Sequence, residues 1–188
     1  MNNDTSRLRR PASNRKRRNL PRAPSPSVAE PRRPLLLAVL AFVLAAQACP
    51  GVQRIALLGS ILTTKAIPKD VDVLVTIDAA MDLTRLAHSG RRLMGQAQIN
   101  LGADIFLADT TGRYLGRICH YRECHPRVLC RAQHCGQQNH LNDDLHIVTL
   151  SHEPIASPPV ELWPKVVRRL SVPADVEEAL LNNLDQNL

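Results

Sequence analysis

The chain has 188 residues, enough for one domain with a packed core. Its 24 Lys and Arg against 17 Asp and Glu give a formal charge of +7, a balance typical of proteins that bind nucleic acid. However, residues 1–34 hold ten of the basic residues and two of the acidic ones, which leaves 14 basic and 15 acidic residues and a charge of −1 for the rest. The net charge of the whole chain is therefore no guide to the ligand of the domain.

The composition is that of a domain with an aliphatic core. Hydrophobic residues make up 44% of the chain and aromatic residues 3%. This scarcity argues against binding of single-stranded nucleic acid on stacked aromatic platforms, which need several rings on one sheet face. The chain has five Cys and seven His residues, and four of the Cys lie between positions 119 and 135. Such clustering favours reduced, metal-binding thiols over a framework of disulfides.

The N-terminal part divides into a tail and an apolar run. Residues 1–33 are Arg-, Asn-, Ser- and Pro-rich, and because they have few apolar side chains to bury, we expect a disordered basic tail. Residues 35–46 are continuously apolar, and Pro34 suits the first turn of a helix. We interpret this run as a buried first helix in a cytoplasmic protein. The alternative is export, with residues 35–48 as a signal peptide; a membrane span would need roughly 20 apolar residues.

The next segment, residues 34–111, has the pattern of an α/β core. A short helical turn is expected at 61–65, and an amphipathic helix is expected at 79–98, where apolar residues recur among Arg and Gln. Aliphatic runs predict three buried strands, over residues 52–58, 71–77 and 103–108.

The rest of the chain is less regular. Residues 112–142 form an insert rich in Arg, Cys and His, and residues 143–188 are expected to complete the domain. The C-terminal pattern predicts a strand over 145–150 and short helices over 160–169 and 174–184, the second opened by Pro173. Together the elements predict an α/β (α+β) fold, a mixed sheet flanked by helices with a Cys/His-rich extension.

Three aspartates lie in or beside the predicted strands. Asp70 and Asp72 are two residues apart at the start of the second strand, so their side chains share one face, with Cα atoms roughly 6 to 7 Å apart. Two such carboxylates repel each other unless a cation lies between them. Asp104 lies in the third strand, where a lone buried carboxylate would be costly. If the two strands are neighbours, the three carboxylates form an oxygen cage for one or two magnesium ions.

Gly59 and Ser60 follow the first predicted strand. A glycine lets the backbone approach a phosphate group closely, and a serine at the start of a helical turn offers N–H groups and a hydroxyl to an anion. The order of these features therefore predicts phosphate binding next to the carboxylates.

The segment ALLGSILTTKAIPKDVDVLV has nine residues between its Gly-Ser and its Asp-Val-Asp, and it is followed by ADIF around Asp104. This composite resembles the signature of the nucleotidyltransferase superfamily related to DNA polymerase beta, of the minimal nucleotidyltransferase type. The resemblance covers roughly residues 35–110. It implies a nucleotidyltransferase-like fold and transfer of a nucleoside monophosphate from an NTP to an acceptor hydroxyl.

The resemblance also implies roles for the three carboxylates. Asp70 and Asp72 would hold the magnesium ions that bind the triphosphate, and Asp104 would bind the second ion and help to deprotonate the acceptor hydroxyl. The hydroxyl then attacks the α-phosphorus in line, and pyrophosphate leaves.

The phosphate-binding roles are implied in the same way. Ser60 and the backbone of Gly59 would bind the outer phosphates, and Lys65 or Lys69 would neutralise charge on the leaving group. Minimal nucleotidyltransferases are often completed by a helical partner chain, and the acceptor is an RNA, a protein or a small molecule.

Competing interpretations give the same residues other roles. Asp70 and Asp72 would form a turn at a strand edge, and Asp104 would pair with an arginine. Alternatively, the domain would bind nucleotide without turnover, or serve as a non-catalytic adaptor that binds nucleic acid or protein through its tail and insert. The insert also contributes five arginines. They suit a phosphate-bearing acceptor such as tRNA, but a solvated basic surface is the favoured explanation of them: Arg113, Arg117, Arg122, Arg127 and Arg131.

The insert also holds four thiols interleaved with histidines. Two knuckle-like pairs of this kind build a tetrahedral zinc site, which would stabilise a stretch that lacks a core of its own. Cysteines are the preferred ligands over the histidines, and unligated cysteines are the alternative. A catalytic Cys–His pair is less favoured, because no residue is identified that would orient the histidine. The candidate zinc ligands are Cys119, Cys124, Cys130 and Cys135.

Overall fold

The structure, a computed structural model, describes residues 32–97, 102–120, 124, 138–143 and 145–187. In these residues a seven-stranded mixed sheet is combined with helices, which confirms the mixed α/β (α+β) class. The strands in chain order are β1 (Val52–Leu58), β2 (Asp70–Ile77), β3 (Gly102–Asp109), β4 (Tyr114–Ile118), β5 (Leu141–Asn142), β6 (Val160–Trp163) and β7 (Val167–Arg168).

Across the sheet the strands are ordered β5-β4-β3-β2-β1-β6-β7. β2 and β3 are parallel, and every other neighbouring pair is antiparallel. The three strands predicted from aliphatic runs are confirmed and form the centre of the sheet. The side chains of these strands are buried on both faces of the sheet, which explains why their sequences are nearly continuously apolar.

The helical elements in chain order are α1 (Arg33–Ala46), α2 (Thr84–Ala97), α3 (His152–Ala156), α4 (Ala174–Val176) and α5 (Asn182–Asn187). A π-helical turn, Glu177–Leu181, joins α4 to α5. The helix predicted over 174–184 is therefore confirmed as one continuous helical segment. α2 connects the parallel strands β2 and β3, as a crossover helix does.

α1 corresponds to the predicted buried helix. Pro34 lies in its first turn, and seven of its 14 side chains are buried. No helix among the described residues is long and apolar enough to cross a membrane. The predicted tail extended to residue 33, but α1 begins at Arg33, and Arg32 is only 3% exposed. The tail prediction for residues 1–31 falls outside the described residues.

The two faces of the sheet are packed differently. One face, the α1/α2 face, carries alternate residues such as Val71, Val73 and Ile105, which pack with α1, α2 and the C-terminal helical segment into the main core. The opposite face, here the α3 face, carries a smaller cluster covered by Ile155 of α3 and completed by Ala56, Leu58, Leu74, Phe106 and Ala108. The small cluster leaves part of the α3 face for polar residues.

Two predictions for the C-terminal part are wrong. The segment 160–169 is not a helix: β6 alternates buried and half-buried side chains, and it pairs with the outer edge of β1 before Pro164 interrupts the strand. The segment 145–150 is not a strand. Val148 and Leu150 pack against the smaller cluster, so this segment crosses the face of the sheet rather than lying along an edge where it would pair.

Other boundaries also differ from the predictions. α2 begins at Thr84 rather than at residue 79, because the Asp82 carboxylate accepts hydrogen bonds from the Thr84 N–H (2.9 Å) and hydroxyl (2.7 Å). The helical turn expected at 61–65 is a single 3-10 turn over Ser60–Leu62. The predicted insert begins with a strand, β4, that its sparse periodicity does not indicate.

Candidate active site

The candidate phosphate-binding and acidic residues meet at one edge of the sheet. β1 ends at Leu58, directly before Gly59 and Ser60. β2 begins at Asp70 and runs antiparallel to β1, so its start lies beside the end of β1. β3 is parallel to β2, so its first residues, which include Asp104, lie at the same edge.

The strand register brings the three carboxylates to one face. Asp72 is opposite Asp104 in the parallel pair, and it is opposite Leu58 in the antiparallel pair. Directly paired residues on neighbouring strands, which are roughly 4.8 Å apart, point to the same side of a sheet, as do residues two apart on one strand. Asp70, Asp72 and Asp104 therefore share the α3 face, since the intervening Val71 and Ala103 lie in the main core.

The carboxylates influence one another electrostatically. The pKa of Asp72 is raised to about 6, first by burial and then by the negative charges of Asp70 and Asp104, while the charge of Lys69 opposes the shift. Negative charge is thus concentrated at this edge of the sheet. Oxygen donors in such a group are the ligands that magnesium prefers, so the donor chemistry fits the implied ion.

Gly59 is required where it stands, beside Asp72. Its backbone has φ 75° and ψ −160°, a conformation that is essentially restricted to glycine. A Cβ atom at this position would also overlap Oδ2 of Asp72. The backbone of Gly59 is therefore in direct contact with the central carboxylate, which a larger residue would displace.

Ser60 connects the end of β1 to the start of β2. Its Oγ accepts a hydrogen bond from the Lys69 N–H at 3.0 Å, and its carbonyl oxygen accepts one from the Thr63 hydroxyl at 2.7 Å. With Oγ accepting, the hydroxyl hydrogen of Ser60 can be donated to an anion. Of the two candidate lysines, both exposed, Lys69 is the one whose charge acts on Asp72; Lys65 contributes its carbonyl oxygen to Arg32.

Asp104 contacts two side chains from β4 and the residues just after it. Its Oδ1 is 2.9 Å from Nε2 of His120 and 3.9 Å from Nε of Arg117. β4 runs antiparallel to β3, with Arg117 opposite Phe106, so the chain just past β4 returns to the start of β3. The pairing of Asp104 with an arginine, one part of the competing interpretation, is therefore present in this arrangement, whereas Asp70 and Asp72 lie in a regular strand and not in a turn.

Among the residues that the structure describes, no group of three His, Cys, Asp or Glu side chains has the arrangement of a metal site. Asp104 contacts His120 and Arg117 through Oδ1.

Half of the proposed zinc site falls within the described residues. Cys119 is buried and Cys124 half-buried, while Cys130 and Cys135 lie outside the described residues. Sγ of Cys124 is 3.5 Å from Nδ1 of His140, and Nη2 of Arg91 is 2.9 Å from the same nitrogen. Burial and the charge of Arg91 lower the pKa of His140, which favours the neutral, ligand-competent imidazole.

Of the insert arginines, Arg113 binds Asp109 with a 3.0 Å contact in the turn between β3 and β4. Arg117 faces Asp104 as described, and the remaining three lie outside the described residues.

Comparisons of the chain with models of protein families, with curated proteins and with solved structures find no match.

Proposed function

We propose that the chain is a nucleotidyltransferase that moves a nucleoside monophosphate from an NTP to an acceptor hydroxyl. The observation that carries this proposal is the register of β1, β2 and β3, in which Asp70, Asp72 and Asp104 share one face beside Gly59. Paired carboxylates next to a glycine–serine turn are the donor set needed to hold both metal ions and a triphosphate.

In this proposal Asp70, Asp72 and Asp104 hold two magnesium ions, which when bound neutralise phosphate charge and make the acceptor hydroxyl more acidic. Asp104 takes up the proton of that hydroxyl, and His120, at hydrogen-bond distance from Oδ1 of Asp104, supports the carboxylate in this role.

The outer phosphates lie against the end of β1. The Ser60 hydroxyl and the backbone N–H groups around Gly59 donate to phosphate oxygens. Lys69, whose charge already acts on Asp72, balances the charge that accumulates on pyrophosphate as it leaves. The exposed position of both lysines leaves this side of the site accessible to a triphosphate.

A non-catalytic adaptor is the second candidate, and the contacts of Asp104 favour it. A carboxylate hydrogen-bonded to His120 and 3.9 Å from the guanidinium of Arg117 has polar partners in the protein without an ion. In that function, an inert nucleotidyltransferase-like domain binds nucleic acid or protein through its basic tail and insert.

Calorimetric titration with an NTP and magnesium separates the two functions. The enzyme is expected to bind magnesium-NTP, and Asp70→Ala with Asp72→Ala is expected to abolish binding. Asp78→Ala is the matched control, because Asp78 is an exposed aspartate just past the other end of β2 and bonds Gln53. Absence of NTP binding by the unaltered chain, with binding of RNA that weakens steeply with salt, would support the adaptor.

The remaining components belong to the same proposal. The acceptor is an RNA, a protein or a small molecule, a helical protein completes the site, and the reaction takes place in the cytoplasm. Structural zinc held by Cys119, Cys124, Cys130 and Cys135 stabilises the insert. Metal analysis of the purified protein tests the zinc, and the mass of the mature N-terminus tests the alternative of export.

A further inference from the structure

Arg32 is a buried cation just before α1, and its guanidinium has four hydrogen-bond acceptors. The residue is 3% exposed. Its Nε donates to Oδ2 of Asp175 at 2.6 Å. The other two nitrogens donate to three backbone carbonyl oxygens: those of Thr63 (2.7 Å), Lys65 (2.6 Å) and Ile61 (2.6 Å). A buried charge is tolerated when it is paired and hydrogen-bonded in this way.

The three carbonyl groups belong to the loop that joins the two halves of the proposed nucleotide site. This loop, residues 59–69, starts at Gly59 and Ser60 and ends at Lys69, whose N–H donates to Oγ of Ser60. The middle of the loop is exposed at residues 63–67, so its shape depends on contacts at its base. Arg32 supplies three of them from inside the domain.

Asp175 links the same guanidinium to the C-terminal helical segment. It lies in the first turn of α4 and balances the charge of Arg32. The start of α1, the loop and α4 are thus joined through one side chain, although they are far apart in the sequence. Lysine cannot replace this arrangement, because a single ammonium nitrogen with three donors cannot reach four acceptors spread around a planar group.

We propose that Arg32 and Asp175 are positioning residues of the nucleotide site, which hold the 59–69 loop in the conformation that receives the outer phosphates of an NTP. This inference rests on the proposed function for the identity of the ligand. The ordering of the loop by Arg32 does not depend on that identity and has a measurement of its own.

The test compares Arg32→Lys and Asp175→Asn with Arg168→Gln in the full-length chain. Arg168 is the matched control, because it forms 2.8 Å ion pairs with Glu177 and Asp185 of the C-terminal helical segment. Its loss weakens the anchoring of that segment without touching the loop. Amide hydrogen exchange of residues 60–69 is measured without nucleotide, and the dissociation constant of magnesium-ATP is measured well below the unfolding temperature of each variant.

We expect Arg32→Lys to speed exchange in the loop and to weaken magnesium-ATP binding by about tenfold or more, because small displacements of binding groups are costly. Asp175→Asn keeps the three carbonyl contacts and shifts both measurements in the same direction by less, so it serves if Arg32→Lys does not fold. Arg168→Gln leaves both unchanged. The inference is overturned if amide exchange in the loop is unchanged in both Arg32→Lys and Asp175→Asn. It is also overturned if exchange becomes faster while the affinity for magnesium-ATP stays the same. If the unaltered chain binds none of ATP, GTP, CTP and UTP in the presence of magnesium, the proposed function is overturned instead.

Discussion

Replacing Asp72 by asparagine is expected to stabilise the metal-free protein and to abolish the proposed nucleotidyl transfer. Asp72 is opposite Asp104 in the sheet and two residues from Asp70, and both neighbours raise its pKa in addition to burial. The folded state therefore opposes the charge that Asp72 carries at neutral pH. Asparagine keeps the size of the side chain and removes the charge, as expected for a functional site whose residues reduce stability.

The size of the effect follows from the pKa of Asp72, which is raised from 3.8 to about 6. Because the folded state binds this proton more tightly than the unfolded state does, stability falls as the pH rises through that interval and stays lower above it. The raised pKa corresponds to about 3 kcal/mol without screening. Since Asp72 is only half-buried and water screens the repulsion, we expect about 1 to 2 kcal/mol in solution.

Urea unfolding at pH 4 and pH 8, with a chelator present, measures this effect. We expect the Asp72→Asn variant to have a larger free energy of unfolding than the unaltered protein at pH 8. At pH 4 most of this difference should disappear. Asp78→Asn, in an exposed carboxylate bonded to Gln53, is the control and should change little at either pH. If Asp72→Asn is no more stable than the unaltered protein at pH 8, the reasoning about crowded carboxylates is refuted.

Three further predictions concern the turn, the tail and the insert. Gly59→Ala should lower the free energy of unfolding in urea by about 1 to 3 kcal/mol. Gly102→Ala should lower it far less, because the space around Gly102 is open. Equal losses in the two variants would contradict the role of Gly59. Deleting residues 1–31, which leaves Arg32 in place, should not change the dissociation constant of ATP in calorimetry. A large loss of affinity would show that the tail contributes to nucleotide binding. Cys124→Ser should reduce the zinc that mass spectrometry finds in purified protein, and unchanged zinc content would exclude this ligand.

The central strands and the acidic face could be predicted from the sequence because both depend on local pattern. Once the aliphatic run of β2 is identified as a strand, side chains at alternate positions must share a face, so Asp70 and Asp72 point to the same side of the sheet. The pairing of Asp72 with Asp104 requires β2 and β3 to be adjacent and parallel, and the crossover through α2 is the kind of connection that parallel strands need.

The contact of Asp104 with His120 and the contacts of Arg32 could not be predicted in the same way. His120 reaches Asp104 only because β4 pairs with β3, and β4 was missed since Gly116 interrupts its apolar pattern. Arg32 resembles the other arginines of the basic N-terminus in sequence. Its burial depends on three carbonyl groups and on Asp175, which is 143 residues away.

The C-terminal errors have a similar cause. The segment over 160–169 is short, and its apolar pattern is compatible with a helix or a strand. It contains a strand because residues 160–163 form hydrogen bonds with the otherwise unpaired side of β1. Such a choice depends on tertiary pairing that local periodicity does not record.

Transfer of a labelled nucleoside monophosphate, with release of pyrophosphate, tests the central claim most directly. The unaltered protein is incubated with each labelled NTP, magnesium, and RNA, protein or small-molecule acceptors, beside the Asp70→Ala, Asp72→Ala double variant and the Asp78→Ala control. The proposed function predicts magnesium-dependent transfer by the unaltered protein and the control, and a loss of at least about 100-fold in the double variant. Equal transfer by the double variant and the unaltered protein would contradict the assignment of the carboxylates.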